Sequence, residues 1–548
     1  MTKKQRLFFT ATALVVAFAF QGSRGLYETT EGRYAECARE MLQTGQWLVP
    51  QLDYHPHWTK PPLTYWAIAG GIKLLGLNTW GVRLYVAVAF VLLIESVRKL
   101  AAVMWDSQCG YMAGLSYATS ALAVIAANTV NTDVLLSLWE LLVVLAYWQG
   151  YVQRGKPSEK KWALAMWTFA GLAFLTKGPP GLLTLLVVLV FQLYLRWSGR
   201  PRPRLAAVWG VPVLLAVGLW WYVLMTIVHP ELWSYFLGDE VIGRIFSGEF
   251  NRHPEWYQPF AIYLPLIVFG MGTWIIFWPA IITRYKHLLH WSGFKKTIQA
   301  DEKAAFLVIW LLLPVLILSL SKSRQYLYIL PFFPAVALAT ARGMMGTYQQ
   351  KTLRKICVTI TVITTGLIVL CKGIYVYVPS ERNMGQLYRL CLKQQSGDTA
   401  FFLYGHNIPY GLQFYLDGRL KTITSEGKEP NSNEELKNII AQMRDKPQQD
   451  TYVFVLRRLS YGRDFQQALD SAGLSYQLTE QGKNNMFLQS GAQAMAEIFS
   501  RLWIAQGHPI KLQNKTKIKG NMIFTVRPDH QTPSGGGKGE KSITMGAD

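Results

Sequence analysis

The sequence has few cysteines, and none of them stands in a pattern typical of a cross-link or a metal site. The five cysteines include no C-x-x-C pair and no spacing of the kind that zinc ligands show. Regular spacing is what identifies a disulfide framework or a zinc centre in a sequence. Neither is predicted for this chain.

Charged residues are also scarce. They make up 16% of the 548 residues, whereas hydrophobic residues make up 51%. A chain this long and this apolar is not one soluble domain, so several membrane-spanning helices are predicted. The net charge of +22 does not indicate nucleic acid, because the basic residues lie between apolar runs and form no single patch. In a membrane protein such a charge is typical of cytoplasmic loops and of contacts with anionic membrane lipids.

About eleven apolar segments are long enough to cross a bilayer as helices. The first follows Lys3, Lys4 and Arg6 and resembles a signal peptide, but no small-residue cleavage site follows it. It is interpreted as a retained anchor with a cytoplasmic N-terminus. The predicted spans are Leu7–Gly25, Trp80–Val97, Gly110–Ala127, Val134–Val152, Trp162–Thr176, Gly181–Leu195, Leu205–Val228, Trp256–Ile282, Ala304–Ser319, Leu327–Thr340 and Ile356–Val378.

The loops between these spans support one topology. Every second loop is rich in Lys and Arg, as the positive-inside rule expects of cytoplasmic loops. Ionisable residues in the opposite loops are few and are not required by topology, so we expect them to form a periplasmic site. They are the stretch Tyr27–Leu63, Asp133, Lys177, the group Asp239, Glu240, Arg244 and Glu249, and the pair Lys322 and Arg324.

The composition changes after Val378, where short strand-like segments alternate with amphipathic ones. A small periplasmic α/β domain is predicted over residues 379–505, because an odd number of spans leads the chain out of the cytoplasm. It contains neither of the two common nucleotide-binding fingerprints. The basic end, residues 506–548, is predicted to be a flexible tail.

A transferase with a periplasmic site is expected to use a donor carried in the bilayer, because that compartment has no nucleotide supply. A polyprenyl-phosphate sugar meets this requirement. Its phosphate gains negative charge as it leaves, and cationic side chains stabilise that charge. The candidate cations are Arg33, Lys60, Lys177 and Lys322.

Carboxylates on the same side are candidates for the base that takes the proton of an acceptor hydroxyl. They are Glu28, Glu31, Asp239 and Glu240. Asp133 stands at the start of an apolar helix, and two interpretations of it are open. It takes part in the chemistry, or it caps that helix.

The first loop carries the pattern that identifies a family. TEGRYAECAREMLQTGQWLVPQL followed by HWTKPPLTYW resembles D-E-x-R-Y-A-E…R-E-M-L…G-x-W…P…E-K-P-P-L-x-Y-W. That pattern belongs to integral-membrane glycosyltransferases of the GT-C class, specifically the aminoarabinose transferases that modify lipid A. It is also similar to that of protein O-mannosyltransferases. The resemblance continues through NTD, FLTKGPPG and SKSRQYLYILPFFPAVALA, from Leu7 to about Met344.

The resemblance implies a role for each matching residue. Arg33 and Lys60 match basic residues that bind the lipid phosphate, and Lys177 matches a third. Asp133 matches an acidic residue at the entrance to the fourth span. Arg244 matches the arginine of the family's H-x-x-R-F segment, although the histidine of that segment is absent here. Lys322 and Arg324 lie in the family's S-K-x-x-x-x-Y segment.

Two positions depart from the family pattern. The first acid of the D-E pair, which the family is taken to use as its catalytic carboxylate, is Thr30 here, so Glu31, Glu28 and Asp133 are the predicted catalytic carboxylates. The glutamate before the lysine of K-P-P is Thr59, and no divalent metal or other cofactor is predicted. A phosphate acceptor, as on lipid A, is already an anion and requires no strong base.

The sequence therefore predicts a mainly α, polytopic GT-C membrane protein with about 11–13 transmembrane helices. Residues 1–378 form the membrane domain, with residues 26–79 as its first periplasmic loop. It is expected in the inner membrane of a Gram-negative bacterium, where it moves a sugar from polyprenyl phosphate to lipid A or the lipopolysaccharide core.

Other hypotheses remain beside this one. A protein could be the acceptor, as in the O-mannosyltransferases. The chain could be a transporter or flippase of lipid-linked sugars, although it shows no internal repeat and its ionisable residues lie at one face. Thr30 also permits a catalytically inactive member that only binds lipid.

Overall fold

The computed structural model describes residues 1–236, 238, 255–321, 323–404 and 408–423, and then 438–439, 441, 451–458, 465–466, 469–471, 476–481, 519–526 and 543–545. The chain divides into two compact units. Unit 1 is Met1–Gln21, Thr44–Gly76 and Trp80–Tyr375, and unit 2 is Gly22–Gln43, Leu77–Thr79 and Val376–Asp548. The predicted site residues Arg244 and Lys322, with Asp239, Glu240 and Glu249, lie outside the described residues.

Unit 1 is helical. In the described ranges, five helices are long and apolar enough to cross a membrane. Three further pairs of helices are bent at a short break, and the number of spans rises to eight if each pair is counted as one span. The five are Asp133–Val152, Pro179–Trp197, Glu302–Leu320, Tyr326–Thr347 and Gln350–Tyr377. The bent pairs are Ser107–Ala118 with Ala121–Ala127, Ala207–Gly218 with Trp220–Val228, and Gln258–Gly270 with Gly272–Arg284.

Each predicted span overlaps a helix or a bent pair, so the multi-pass architecture is confirmed. Of the expected 11–13 spans, up to eight are long and apolar enough to cross a membrane in the part of the chain that the structure describes. The three remaining predicted spans are the helices Lys3–Phe18, Thr79–Met104 and Ser158–Lys177. Lys3–Phe18 has only 16 residues, and Ser158–Lys177 opens on the charged sequence SEKK. Shorter elements are the helices Leu63–Leu75, Leu232–Ser234 and Trp291–Ala300, the 3-10 turn Lys286–Leu289, and the hairpin strands β1 (Gln51–Leu52) and β2 (His55–Pro56).

The helix Asp133–Val152 is the most enclosed of the long spans. Within the protein, 83% of its apolar window is buried, compared with 17% for Gln350–Tyr377. It packs along Ser158–Lys177, where Trp139 stacks on Phe169 with 6.3 Å between ring centroids. A helix surrounded by other helices keeps a polar group at its end away from lipid, and this enclosure is what positions the site described below.

Unit 2 contains a six-stranded mixed sheet in the order β4-β3-β5-β7-β6-β8. β3 pairs in parallel with β4 and β5, β7 pairs antiparallel with β5 and β6, and β8 pairs in parallel with β6. Its helices are Thr30–Thr44, Met384–Lys393 and Tyr410–Tyr415. The strands are β3 (Thr399–Tyr404), β4 (Leu420–Thr422), β5 (Thr451–Arg458), β6 (Tyr476–Gln481), β7 (Lys519–Val526) and β8 (Ile543–Met545).

This sheet confirms an α/β arrangement but differs from the expected flexible tail over residues 506–548. β7 lies inside the sheet, and Ile523 and Val526 on it are fully buried. The short apolar run NMIFTV supplies this strand. Because basic residues flank this run, the composition of the whole segment did not indicate a strand.

The start of the first loop also belongs to unit 2. The backbone of Glu28 donates to the carbonyl of Arg382 at 2.9 Å, and Met384 donates to the carbonyl of Leu26 at 2.9 Å. Gly25 is required there, because a Cβ on it would lie 2.0 Å from Oδ1 of Asn383. These contacts attach the helix Thr30–Thr44 to the C-terminal α/β fold, a connection that the sequence did not indicate.

Candidate active site

Lys177 and Asp133 form a buried ion pair at the ends of two packed helices of unit 1. Lys177 is the last residue of Ser158–Lys177, which ends because Gly178 adopts φ +75° and two prolines follow. Its ammonium donates to Oδ1 of Asp133, and the two side chains are 9% and 10% exposed. A charge pair with this little solvent around it interacts strongly.

Asn131, and not Asp133, caps the helix Asp133–Val152. Oδ1 of Asn131 accepts the backbone N–H of Val134 at 3.0 Å, and its amide donates to the carbonyl of Ala126 at 2.9 Å. The hydroxyl of Tyr85 holds the Asn131 backbone from the other side at 2.7 Å. Because Asn131 satisfies the helix end, the Asp133 carboxylate points to Lys177 instead.

Tyr328 completes the surroundings of Lys177. The ammonium lies 4.4 Å from the centroid of the Tyr328 ring, within the range of a cation–π interaction. Tyr328 belongs to the 3-10 turn Tyr326–Phe332 that opens the span Tyr326–Thr347. Lys177 thus contacts one anionic and one aromatic group.

An aromatic cluster in unit 1 connects the Lys60 loop with the Lys177 helix. Its buried core includes Leu175, which is two residues before Lys177, and Trp221. Trp58 and Leu63, which flank Lys60, pack against this core. Trp221 also donates to the carbonyl of Leu48 at 2.7 Å. The segments that carry the two lysines therefore rest on the same cluster.

The Lys60 loop is held by local hydrogen bonds. The Lys60 ammonium donates to the carbonyl of Thr59 at 2.5 Å, and Oγ1 of Thr59 lies 2.7 Å from Nε2 of His57. Thr59, the position where the family pattern has glutamate, is therefore bonded to a histidine. The helix Leu63–Leu75 begins directly after Pro62, and proline is favoured at a helix start.

Arg324 is buried and binds backbone carbonyls. Its guanidinium donates to the carbonyls of Glu255 at 3.0 Å and Ser319 at 2.8 Å, and the residue is 4% exposed. Ser319 lies in the last turn of Glu302–Leu320, where a cation is favoured by the helix dipole. Both contacts give Arg324 a part in the structure of its own loop.

Glu31 is engaged in a bidentate salt bridge inside unit 2. Both nitrogens of the Arg24 fork donate to its carboxylate at 3.0 Å, and the backbone N–H of Tyr27 adds a third bond at 2.8 Å. Glu31 is 4% exposed. Donors from Arg24 and Tyr27 thus occupy both oxygens of this carboxylate.

Glu28 and Arg33 have different surroundings in the same unit. Oε2 of Glu28 accepts the backbone N–H of Gly411 at 3.0 Å, and Glu28 is 6% exposed. Arg33 is half-buried, and its Nε has no hydrogen-bond partner within the described part of the chain. An arginine with an unsatisfied buried N–H is suited to an anionic ligand.

The helix Thr30–Thr44 also carries a buried acidic network. Arg39 donates to the Glu36 carboxylate at 3.0 and 2.8 Å, and Glu40 is buried beside it. Burial raises the pKa of Glu36 to about 7, and the Glu40 carboxyl adds to this increase while Arg39 opposes it. Glu36, Arg39 and Glu40 are all buried, so water has little access to this network.

This network predicts a stability that depends on pH. Between the ordinary glutamate pKa and about 7, the folded state holds a proton that the unfolded state has released. The free energy of unfolding is therefore highest at low pH. It falls by on the order of 2 kcal/mol as the pH rises towards 7 and Glu36 loses its proton in the folded state. The thermal midpoint of the purified protein should decrease from about pH 5 to about pH 8, and Glu36→Gln should flatten this decrease. A midpoint that stays level in the wild type would contradict the expectation.

Comparisons with known proteins identify the fold and show which proteins this chain resembles. A family model described as dolichyl-phosphate-mannose-protein mannosyltransferase matches residues 59–221, the interval that contains Lys60, Asp133 and Lys177. A solved structure, ArnT from Cupriavidus metallidurans bound to undecaprenyl phosphate, is 20% identical, has a TM-score of 0.65, and covers 86% of this chain and 95% of its own.

Two relatives found by sequence similarity are both named as arabinosyl transferases. An undecaprenyl phosphate-α-4-amino-4-deoxy-L-arabinose arabinosyl transferase from Pseudomonas savastanoi is 30% identical over 60% of this chain and 59% of the relative. Another, transferase 1 of Pseudomonas fluorescens Pf-5, is 30% identical over 68% of this chain and 66% of the relative. Each match spans less than two thirds of the relative's own length.

The chain shares the fold of this ArnT structure. The predicted GT-C fold is confirmed, as is the multi-pass membrane architecture. The structure pairs Asp133 with Lys177 and attaches the Lys60 segment to the same aromatic cluster. It also places Glu28, Glu31 and Arg33 in unit 2.

Three residues of the site regions were not predicted from the sequence. Tyr328 lies four residues after Arg324 in a matched segment, but nothing there indicated that its ring meets Lys177. Arg24 lies at the end of the first predicted span, Leu7–Gly25, where a basic residue is usually attributed to the membrane surface. Glu140 had a clear signal, since it is a lone acid in an apolar run, seven positions after Asp133 and thus on the same helix face.

Proposed function

We propose that this protein transfers a sugar from a polyprenyl-phosphate carrier to an acceptor at the periplasmic face of the inner membrane. The observation that carries the proposal is the buried Lys177–Asp133 pair beside Tyr328, at the end of the most enclosed of the long spans. The names of the relatives and the undecaprenyl phosphate in the related structure support this donor. The Lys- and Arg-rich alternate loops support the periplasmic orientation.

Lys177 is suited to bind the phosphate of the donor. A phosphate that approaches the pair competes with the Asp133 carboxylate for the ammonium, and the ammonium then bridges two anions. Tyr328 keeps the ammonium in place during this exchange. Lys60, in the same unit, is a further cation for this anion, as the family resemblance implies. For Arg33, in unit 2, phosphate binding stays a separate prediction from that resemblance.

The chemical step is a direct displacement at the anomeric carbon. The bond from that carbon to the phosphate oxygen breaks, and the phosphate leaves with the electron pair as polyprenyl phosphate. A bond forms at the same carbon to an oxygen of the acceptor. Lys177 stabilises the charge that develops on the leaving phosphate, which is where a fixed cation accelerates such a reaction.

We propose a phosphate group of lipid A or of the lipopolysaccharide core as the acceptor. Glu31 is held by Arg24, Glu28 accepts from Gly411, and Asp133 is paired with Lys177. An acceptor hydroxyl needs a base to remove its proton, whereas a phosphate oxygen is already anionic. Carboxylates that are engaged in this way therefore favour an acceptor that requires no base.

A transfer assay separates this function from its rivals. Purified protein would be incubated with a radiolabelled polyprenyl-phosphate sugar and with lipid A, dephosphorylated lipid A, or a peptide substrate. We expect label on intact lipid A alone. Label on the peptide would support a protein acceptor, as the mannosyltransferase family model does. Bound donor without product would support an inactive lipid-binding protein, and movement of donor across vesicles without product would support a flippase.

A further inference from the structure

Glu140 is an acid inside a membrane span that has no part in the site described above. It is fully buried, and so is Thr184 on the neighbouring span. The Thr184 hydroxyl donates to Oε2 of Glu140 at 2.6 Å. Oε1 of Glu140 has no hydrogen-bond partner among the described residues. Acids are rare in spans because removing them from water is costly, so one that is present requires an explanation.

The link between Glu140 and Thr184 repeats the link between Asp133 and Lys177. Each joins residues that are 44 positions apart. Asp133 and Glu140 are separated by seven positions on one helix, which is about two turns and places both on the same face. Lys177 and Thr184 are also separated by seven positions. The segment between them is thus fastened at both ends to one face of Asp133–Val152.

The segment between Lys177 and Thr184 turns away from the preceding helix and packs closely against it. It leaves the helix at Gly178 and continues as the 3-10 turn Pro179–Leu182. A Cβ on Gly181 would lie 2.4 Å from the carbonyl of Ala173, so the turn lies directly against the preceding helix. A short connection with a fixed far end cannot rotate without moving its near end, and that near end is Lys177.

We propose that Glu140 and Thr184 are positioning residues that fix Lys177 for binding of the carrier phosphate. The inference rests on the proposed function, since it assigns Lys177 to that phosphate. In the interior of the bundle no water competes for the Thr184 hydroxyl, so the link is persistent. When the phosphate draws the Lys177 ammonium away from Asp133, the segment loses its first link to the helix Asp133–Val152. The hydrogen bond between Thr184 and Glu140 is the second link, and it then keeps the turn in place.

The test compares two buried threonines that flank the turn. Thr184→Val keeps the shape and removes the hydroxyl, and we expect it to weaken binding of undecaprenyl phosphate by about tenfold. Thr184→Ser keeps the hydroxyl and should bind within about twofold of the wild type. Thr176→Val is the matched control, because Thr176 is also fully buried but, among the described residues, its hydroxyl donates only to the carbonyl of Leu172 in its own helix. It should also leave binding unchanged.

A double variant separates positioning from folding. Thr184→Val leaves the Glu140 carboxyl buried without its partner, which lowers stability by itself. Glu140→Met/Thr184→Val removes both polar groups and should recover the thermal midpoint of the wild type, yet binding should stay about tenfold weaker. Recovery of binding together with stability would show that the link only supports the fold and would overturn the proposal.

Binding is measured with undecaprenyl phosphate, which cannot react, so the result does not depend on sugar transfer. If the wild type binds the carrier but forms no product, the proposed function fails while the comparison of variants still decides the role of Thr184. Equal affinity of Thr184→Val and the wild type would overturn the positioning role alone. A wild type that does not bind the carrier would overturn both.

Discussion

Replacing Lys177 by methionine is expected to reduce sugar transfer by about 10²- to 10³-fold, the loss typical of removing one fixed group that stabilises developing charge. Methionine has nearly the length of lysine and no charge, so the packing of the helix end is preserved. The loss should appear in kcat as well as in binding of the donor, because the charge on the phosphate increases as it leaves. The measurement is initial rates with a polyprenyl-phosphate sugar at several concentrations.

The substitution alone leaves Asp133 buried without its partner, which destabilises the fold and lowers activity by a second route. Lys177→Met/Asp133→Asn removes both charges and should restore the thermal midpoint without restoring transfer. Lys73→Met is the control for a cation in the same unit, since Lys73 is exposed at the end of Leu63–Leu75. Full activity in Lys177→Met, or recovery of transfer in the double variant, would remove Lys177 from the mechanism.

Sequence patterns predicted the membrane helices because the signal is local. A bilayer requires a long apolar run for each span, so each run could be recognised separately, and all of the predicted spans are helices. Asp133 and Lys177 were recognised because both stand at span ends on one predicted side, where topology did not explain them. Their direct pairing is a contact over 44 positions, which the sequence alone did not show.

The strand β7 and the Arg24–Glu31 pair could not be predicted for another reason. β7 is a strand because β5 and β6 provide partners on both sides, and a short apolar run between basic segments does not indicate those partners. Glu31 was expected to be a base from its place beside Thr30. Its role depends on where the chain turns between Gly25 and Thr30, and that turn brings the Arg24 fork onto its carboxylate.

Replacing Arg24 by methionine is expected to destabilise the protein by about 3–5 kcal/mol, because it leaves the buried carboxylate of Glu31 without its counter-ion. Glu31→Gln should also lower the thermal midpoint, since an amide cannot accept two charge-assisted bonds from the Arg24 fork. Arg24→Met/Glu31→Met leaves no unpaired charge and should be more stable than either single variant. Thermal and denaturant unfolding of the purified variants measure these differences.

The same variants decide whether Glu31 is a base or a structural residue. A catalytic base replaced by glutamine gives a protein with an unchanged midpoint and almost no activity. A carboxylate that serves the fold gives the opposite result, a lower midpoint with activity per folded molecule close to that of the wild type. We expect the second result, because three hydrogen bonds hold Glu31 inside unit 2 and a phosphate acceptor needs no base. An inactive Glu31→Gln with the midpoint of the wild type would instead make Glu31 the catalytic carboxylate and favour a hydroxyl acceptor.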